Sequence, residues 1–101
     1  MNALMTIVLN NNDDNNYKEV KNKLLSIKND LSISPYIDYE GRKDFIIFNI
    51  TMQIEDDEID SFLSKLSNNF EGENDDCETF SQFSKMFDDS VDYISFYLDE
   101  K

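Results

Sequence analysis

The strongest constraint on what this chain can fold into is the alternation between Asp44 and Ile54. Ile46, Phe48, Ile50 and Met52 recur at every second position, so an extended backbone puts all four on one face, with Phe45, Ile47 and Asn49 on the other. A helix would scatter them around its circumference. A strand with one apolar face must find sheet neighbours, and it needs a second layer to cover that face.

The rest of the chain supplies both. Leu4 to Leu9 is a short apolar run that reads as a central strand, buried on both sides or nearly so. The polar loop Asn10 to Asn16 follows, with Asn15 or Asn16 placed to cap a helix. Tyr17, Val20, Leu24, Ile27 and Leu31 then step by three and four. That spacing predicts one apolar stripe on a helix of about four turns. Ser34-Pro35 ends the helical path, and Tyr36 to Glu40 reads as a short edge strand. Glu40-Gly41-Arg42-Lys43 is a hairpin turn leading into the alternating strand.

Asp56 or Asp57 is predicted to cap a second helix with the stripe Ile59, Phe62, Leu63, Leu66 and Phe70, ended by Glu71-Gly72. Glu73-Asn74-Asp75-Asp76 reads as a loop, and the spacing of Phe80, Phe83 and Phe87 predicts a third, short helix. Val91 to Leu98 alternates again: Ile94, Phe96 and Leu98 on one face, Val91, Tyr93, Ser95 and Tyr97 on the other. The expected fold is therefore α+β, a ferredoxin-like βαββαβ sandwich spanning 1–101 as one domain. It has a four-stranded antiparallel sheet, helices on one face, and an extra short helix before the last strand.

Several chemistries are disfavoured. The sequence has no histidine, which removes the commonest general base and the Ser-His-Asp and Cys-His arrangements. Cys77, the one cysteine, stands between Asp76 and Glu78, which disfavour its thiolate. Two glycines, Gly41 and Gly72, do not make a phosphate-cradling loop. The acidic runs lack the spacing of a calcium-binding loop. No enzymatic activity, cofactor or metal is expected. One cysteine cannot form an intrachain disulfide, and Leu4 to Leu9 is too short for a signal peptide or a membrane span, so a cytoplasmic location is expected. Eight lysines to one arginine, with many Asn and Ile, suggest AT-rich coding DNA and hence a bacterial or phage setting.

Charge is the feature with functional weight. The net charge is −13, and it is lopsided: residues 1–50 hold seven acids and six bases, residues 51–101 fifteen acids and three bases. Solubility alone does not require that asymmetry. The acids fall in three groups: Glu55, Asp56, Asp57, Glu58 and Asp60; Glu71, Glu73, Asp75, Asp76 and Glu78; and Asp88, Asp89 and Asp92. Such a surface repels nucleic acid and anionic lipid and attracts basic proteins. Duplex DNA carries one charge per roughly 1.7 Å of axis, and a face of separated carboxylates presents a comparable field. RNA-binding domains of βαββαβ topology show aromatic outer faces, which Phe45, Tyr93 and Tyr97 could provide. Their basic-aromatic consensus is missing at Gly41-Arg42-Lys43-Asp44-Phe45, so the tyrosines fit a protein contact better.

In size, charge and the runs Glu55-Asp56-Asp57-Glu58 and Asp75-Asp76-Cys77-Glu78, the chain resembles the small acidic inhibitors that phages use against bacterial defence, above all anti-CRISPR proteins. The resemblance is one of type across the chain, without a shared motif. It implies a stoichiometric inhibitor of a basic nuclease or nucleic-acid-binding effector, acting by nucleic-acid mimicry or steric blockade through the acidic groups with Tyr93 and Tyr97. Two alternatives stand beside it: an immunity protein that neutralises a nuclease toxin, and a structural or regulatory subunit that oligomerises, as a homodimer for example, through its sheet face.

Overall fold

A computed structural model describes residues 1–99. In chain order it contains β1 (Asn2–Leu9), α1 (Asp14–Ile27), β2 (Ser32–Ile33), β3 (Ile37–Asp38), β4 (Ile46–Gln53), a 3-10 turn (Asp56–Glu58), α2 (Ile59–Leu66), β5 (Glu71–Glu73), β6 (Asp76–Phe80) and β7 (Val91–Asp99). The seven strands form one sheet in the order β2-β4-β1-β7-β6-β5, and β3 also pairs with β4. Every pairing is antiparallel. The sheet is thus wider than the four strands expected, and the described residues hold two helices rather than three.

The alternation in β4 does what the spacing predicts. Ile46, Phe48, Ile50 and Met52 are all buried. They face Leu9, Ile7, Met5 and Ala3 across the β1 register, and Val91, Ile94, Phe96 and Leu98 continue the same layer on β7. Both helices lie over this face. Tyr17 of α1 meets Phe48 edge-on with ring centroids 5.1 Å apart, and Phe62 of α2 leans on Phe96 at 6.4 Å. Tyr17, Val20 and Leu24 from α1 and Ile59, Phe62, Leu63 and Leu66 from α2 complete a single hydrophobic cluster.

The helix boundaries shift for local reasons. Asp13, not Asn15 or Asn16, caps α1: its carboxylate accepts the Asn15 N–H at 3.0 Å. The helix ends at Ile27, so Leu31 reaches the core from the following loop. Phe70 lies beyond α2 and packs against the core from an irregular segment.

The edge strand expected at Tyr36 to Glu40 is shortened to β3, and a second short strand that was not expected, β2, precedes Pro35. Pro35 has no N–H to give, and β2 and β3 pair with opposite ends of β4 on either side of it. Ser34 bridges the gap: its N–H donates to the Asn49 carbonyl at 2.8 Å, and its hydroxyl accepts the Asn49 N–H at 2.9 Å.

The largest departure lies between Phe70 and Val91. Glu71-Gly72, expected to stop a helix, begins a hairpin with Asp75 and Asn74 at its turn. Gly72 has φ +112°, and a β-carbon there would stand 2.5 Å from the Asp76 carbonyl oxygen, so the hairpin requires glycine. The three phenylalanines do not share a helix face. Phe80 ends β6 and packs on Tyr93 at 5.0 Å, Phe83 is 66% exposed, and Phe87 folds back onto the core. Residues 81–90 form turns instead. They are tied to the end of α2 by Phe87 N–H to Leu66 carbonyl (2.8 Å) and Asn68 N–H to Lys85 carbonyl (3.2 Å).

Candidate protein-interaction surface

No helix among the described residues covers the second face of the sheet. On β1 this face presents Leu4, Thr6 and Val8, and the register carries each into a row across neighbouring strands. The first row is Ile37, Ile47, Val8, Tyr93 and Phe80. It packs on itself closely enough that Val8 is 2% exposed. The middle row is Asn49, Thr6, Ser95, Glu78 and Glu71, and the third is Thr51, Leu4, Tyr97, Asp76 and Glu73. In that third row Leu4 is 43% and Tyr97 53% exposed, so β1 is not buried on both sides as its composition suggested.

The hairpin therefore adds carboxylates to an aromatic sheet face. Cys77 and Thr79 point into the core, and their neighbours Asp76 and Glu78 point outward. Across the hairpin Glu71 is opposite Glu78 and Glu73 is opposite Asp76. Like charges directly opposite each other on one face repel. None of these four carboxylates has an ion pair among the described residues. Glu78 accepts one hydrogen bond, from the Tyr93 hydroxyl at 2.9 Å. Burial, followed by that bond, raises the Tyr93 pKa.

Two of the three acidic groups meet and the third does not. Asp56 lines one shallow depression with Glu73 and Asp75, so the segment before α2 and the hairpin turn share one end of the molecule. Asp57 and Asp60 are exposed beside them. Glu55 and Glu58 have structural duties: the Glu58 carboxylate accepts the Glu55 N–H at 2.8 Å and sits 3.7 Å from Lys28. Asp88 and Asp89 lie at the opposite end, where the Asn10 N–H donates to the Ser90 carbonyl. Eight residues of β1 separate the two ends, about 23 Å at strand spacing. Asp89 is exposed there, while Asp92 hydrogen-bonds Ser81 at 3.0 Å and lies 4.0 Å from Arg42.

Asp88, expected on the acidic surface, is largely taken up inside the fold. Its side chain is 12% exposed, paired with Lys23 of α1, and its other oxygen accepts the Ser90 N–H at 3.0 Å. It fastens α1 to the segment before β7. Burial pushes the Asp88 carboxyl up, but Lys23 and Ser90 outweigh that and leave its pKa below the usual value. A lowered folded-state pKa contributes stability above the unfolded pKa, and that contribution is lost as pH falls through the folded value. Asp88→Asn should cost about 1 kcal/mol at neutral pH in urea unfolding. The gap from wild type should close as pH drops below about 4; a gap that stays constant to low pH would contradict the pairing.

Cys77 is buried, and burial followed by Asp76 and Asp75 raises its thiol pKa to about 11. Its role is packing. Beside it, the Thr79 hydroxyl donates to the Asn69 carbonyl at 2.8 Å and lies 2.8 Å from the Ser67 hydroxyl, which pins the hairpin to the end of α2. No group of three or more metal-ligating side chains forms among the described residues. No helix is long and apolar enough to cross a membrane.

The chain matches no known family, no curated protein and no solved structure.

The sequence singles out Tyr93, Tyr97 and the acids Glu71, Glu73, Asp75, Asp76 and Glu78, and the sheet register brings all but Asp75, which stays in the hairpin turn, onto one face. Leu4 and the facing carboxylate pairs were missed. The alternation Asp76-Cys77-Glu78-Thr79-Phe80 carries the signal for this strand, and the helical spacing of Phe80, Phe83 and Phe87 opposes it.

Proposed function

We propose that this protein is a stoichiometric inhibitor of a basic nucleic-acid-binding protein, working in the bacterial cytosol without catalytic turnover. The observation that carries the reading is the carboxylate group Glu71, Glu73, Asp76 and Glu78, none of them ion-paired among the described residues, continuous with exposed Tyr97 and Leu4. Asp56, Asp57 and Asp60 extend the charge around one end of the molecule. A basic groove that normally holds nucleic acid would meet separated negative charges on a firm sheet, with apolar surface to exclude water. The absence of histidine in the sequence and the raised Cys77 pKa support a binding role. An anti-CRISPR-like target and a nuclease toxin use this surface in the same way. The path β3-β4-β1-β7 also supports reading the sheet as a ferredoxin-like core with the β5–β6 hairpin added to it.

Increasing amounts of the protein should be added to an RNA-guided nuclease complex and, separately, to a nuclease toxin domain, each preloaded with DNA. Release of DNA or loss of cleavage with an equimolar endpoint, weakening as salt rises, is the expected result. Inhibition far below equimolar amounts would make the protein a catalyst. DNA retained by both targets at large excess would remove the inhibitor reading for these classes. The oligomerising alternative has one observation in its favour, the exposure of Ile37, Leu4 and Tyr97 on the same face. Sedimentation at low and high salt separates it, because a self-associating face would give a dimer.

A further inference from the structure

The uncovered sheet face says more about the partner than its charge. We propose that the half of this face built from β1, β7 and the β5–β6 hairpin docks an arginine-rich protein segment, with arginine preferred to lysine. This rests on the inhibitor reading for the site and adds the chemistry of the contact.

Three features of the third row select arginine. Glu73, Asp76, Tyr97 and Leu4 stand side by side on β5, β6, β7 and β1, about 4.8 Å apart at strand spacing. A guanidinium laid across this row can stack on the exposed Tyr97 ring and direct its planar N–H fork at Asp76 and Glu73. Its aliphatic stem would lie along Leu4. A lysine ammonium can reach one carboxylate but lacks the planar stacking surface and the fork. The adjacent row repeats the carboxylate pair at Glu78 and Glu71, so a second arginine on the same segment finds the same acids one row away.

Other occupants fit less well. A second copy would bring the same four carboxylates to the interface, on a chain of net charge −13. Nucleic acid and anionic lipid carry the wrong sign. An arginine segment brings cations to these carboxylates, relieves the repulsion within the hairpin and covers the exposed ring and Leu4.

The test uses the full chain and two synthetic peptides of equal length, an arginine–serine repeat and a lysine–serine repeat. The arginine peptide should bind about tenfold more tightly by calorimetric titration at physiological salt. Backbone amide shifts should concentrate in Glu71–Glu73, Asp76–Phe80 and around Tyr97. Tyr97→Leu, at an exposed position, should fold normally, lose most of the arginine preference and keep its affinity for the lysine peptide. Glu73→Gln should weaken both peptides. Equal binding of the two peptides, shifts centred on Asp56–Asp60, an arginine preference that survives Tyr97→Leu, or a chain that is dimeric at these concentrations would each overturn the proposal. The titration contains no nucleic acid, so its result is separable from that of the inhibitor. Arginine preference without DNA displacement sinks the inhibitor reading and keeps the docking chemistry, and DNA displacement without arginine preference does the reverse.

Discussion

Replacing the two acids of the edge strand by lysine, Glu71→Lys with Glu73→Lys, is expected to weaken binding to a basic partner about 100-fold while making the free protein more stable. The two effects have one cause. In the wild type Glu71 faces Glu78 and Glu73 faces Asp76, so each cross-strand pair repels. The substitutions turn both pairs attractive, at roughly 0.2–1 kcal/mol per pair. A gain of about 1 kcal/mol corresponds to a rise of about 5 °C in Tm for a domain of this size. The same change puts positive charge where a cationic segment should dock, and most of the loss should appear in the association rate at low salt. Reversal at Asp56 and Asp57 should reduce binding without stabilising, since neither stands opposite another carboxylate in the sheet. Reversal at Lys18, exposed on α1 away from its buried stripe, should change binding little, and so should reversal at half-buried Lys21 beside that stripe. Glu58 makes a poor probe because it holds the Glu55 N–H and pairs with Lys28. Binding titrations at low and high salt, with thermal melts of the free proteins, decide the matter. A double variant that binds like wild type, or melts lower, would refute the assignment of the hairpin.

Phe48→Ala is the substitution with the largest expected cost to the fold, about 3–5 kcal/mol. Phe48 is 1% exposed, lies on an inner strand and meets the Tyr17 ring in a T-shaped contact. Tyr17 is itself held by its hydroxyl, which donates to the Ser34 carbonyl at 2.6 Å. Truncation therefore leaves a cavity whose walls cannot close freely. Against a total stability of about 5–15 kcal/mol, that loss takes the chain close to unfolding at growth temperature. Phe83→Ala removes the same ring from a position 66% exposed and should fall within about 0.5 kcal/mol of wild type. Urea unfolding of the pair checks both, and equal midpoints would contradict the placement of the core.

The contrast between these phenylalanines shows what was legible in the sequence. Phe48 belongs to four alternating apolar residues, and only one secondary structure satisfies all four. The stripes of α1 and α2 were readable for the same reason, since their burial depends on a regular period. Phe80, Phe83 and Phe87 have helical spacing, but tertiary contacts assign them to a strand end, solvent and the core edge, and spacing carries no information about those contacts. The sheet margin around Pro35 was half visible: proline predicted an edge strand after it, but β2 before it and the hydrogen bonds of Ser34 depend on where Asn49 lies. At the candidate surface, single residues gave the sign of the charge and the tyrosines. Register decided which carboxylates face one another, and it also carried Asp88 to the other end of the sheet, where Lys23 takes it up.

The two margins of the sheet bear on how much of this protein a cell can hold. One margin is β2 and β3, two residues each, interrupted by Pro35; the other is β5, three residues long with a carboxylate at each end. Unpaired strand margins are where folded chains zip together into fibrils, and short, interrupted or charged margins resist it. A one-to-one blocker has to be present in at least as many copies as its target. With margins this short and this charged, crowding raises the repulsion between neighbouring copies before any strand can pair. If the protein blocks its target one-to-one as proposed, margins of this kind let copies accumulate without pairing strand to strand.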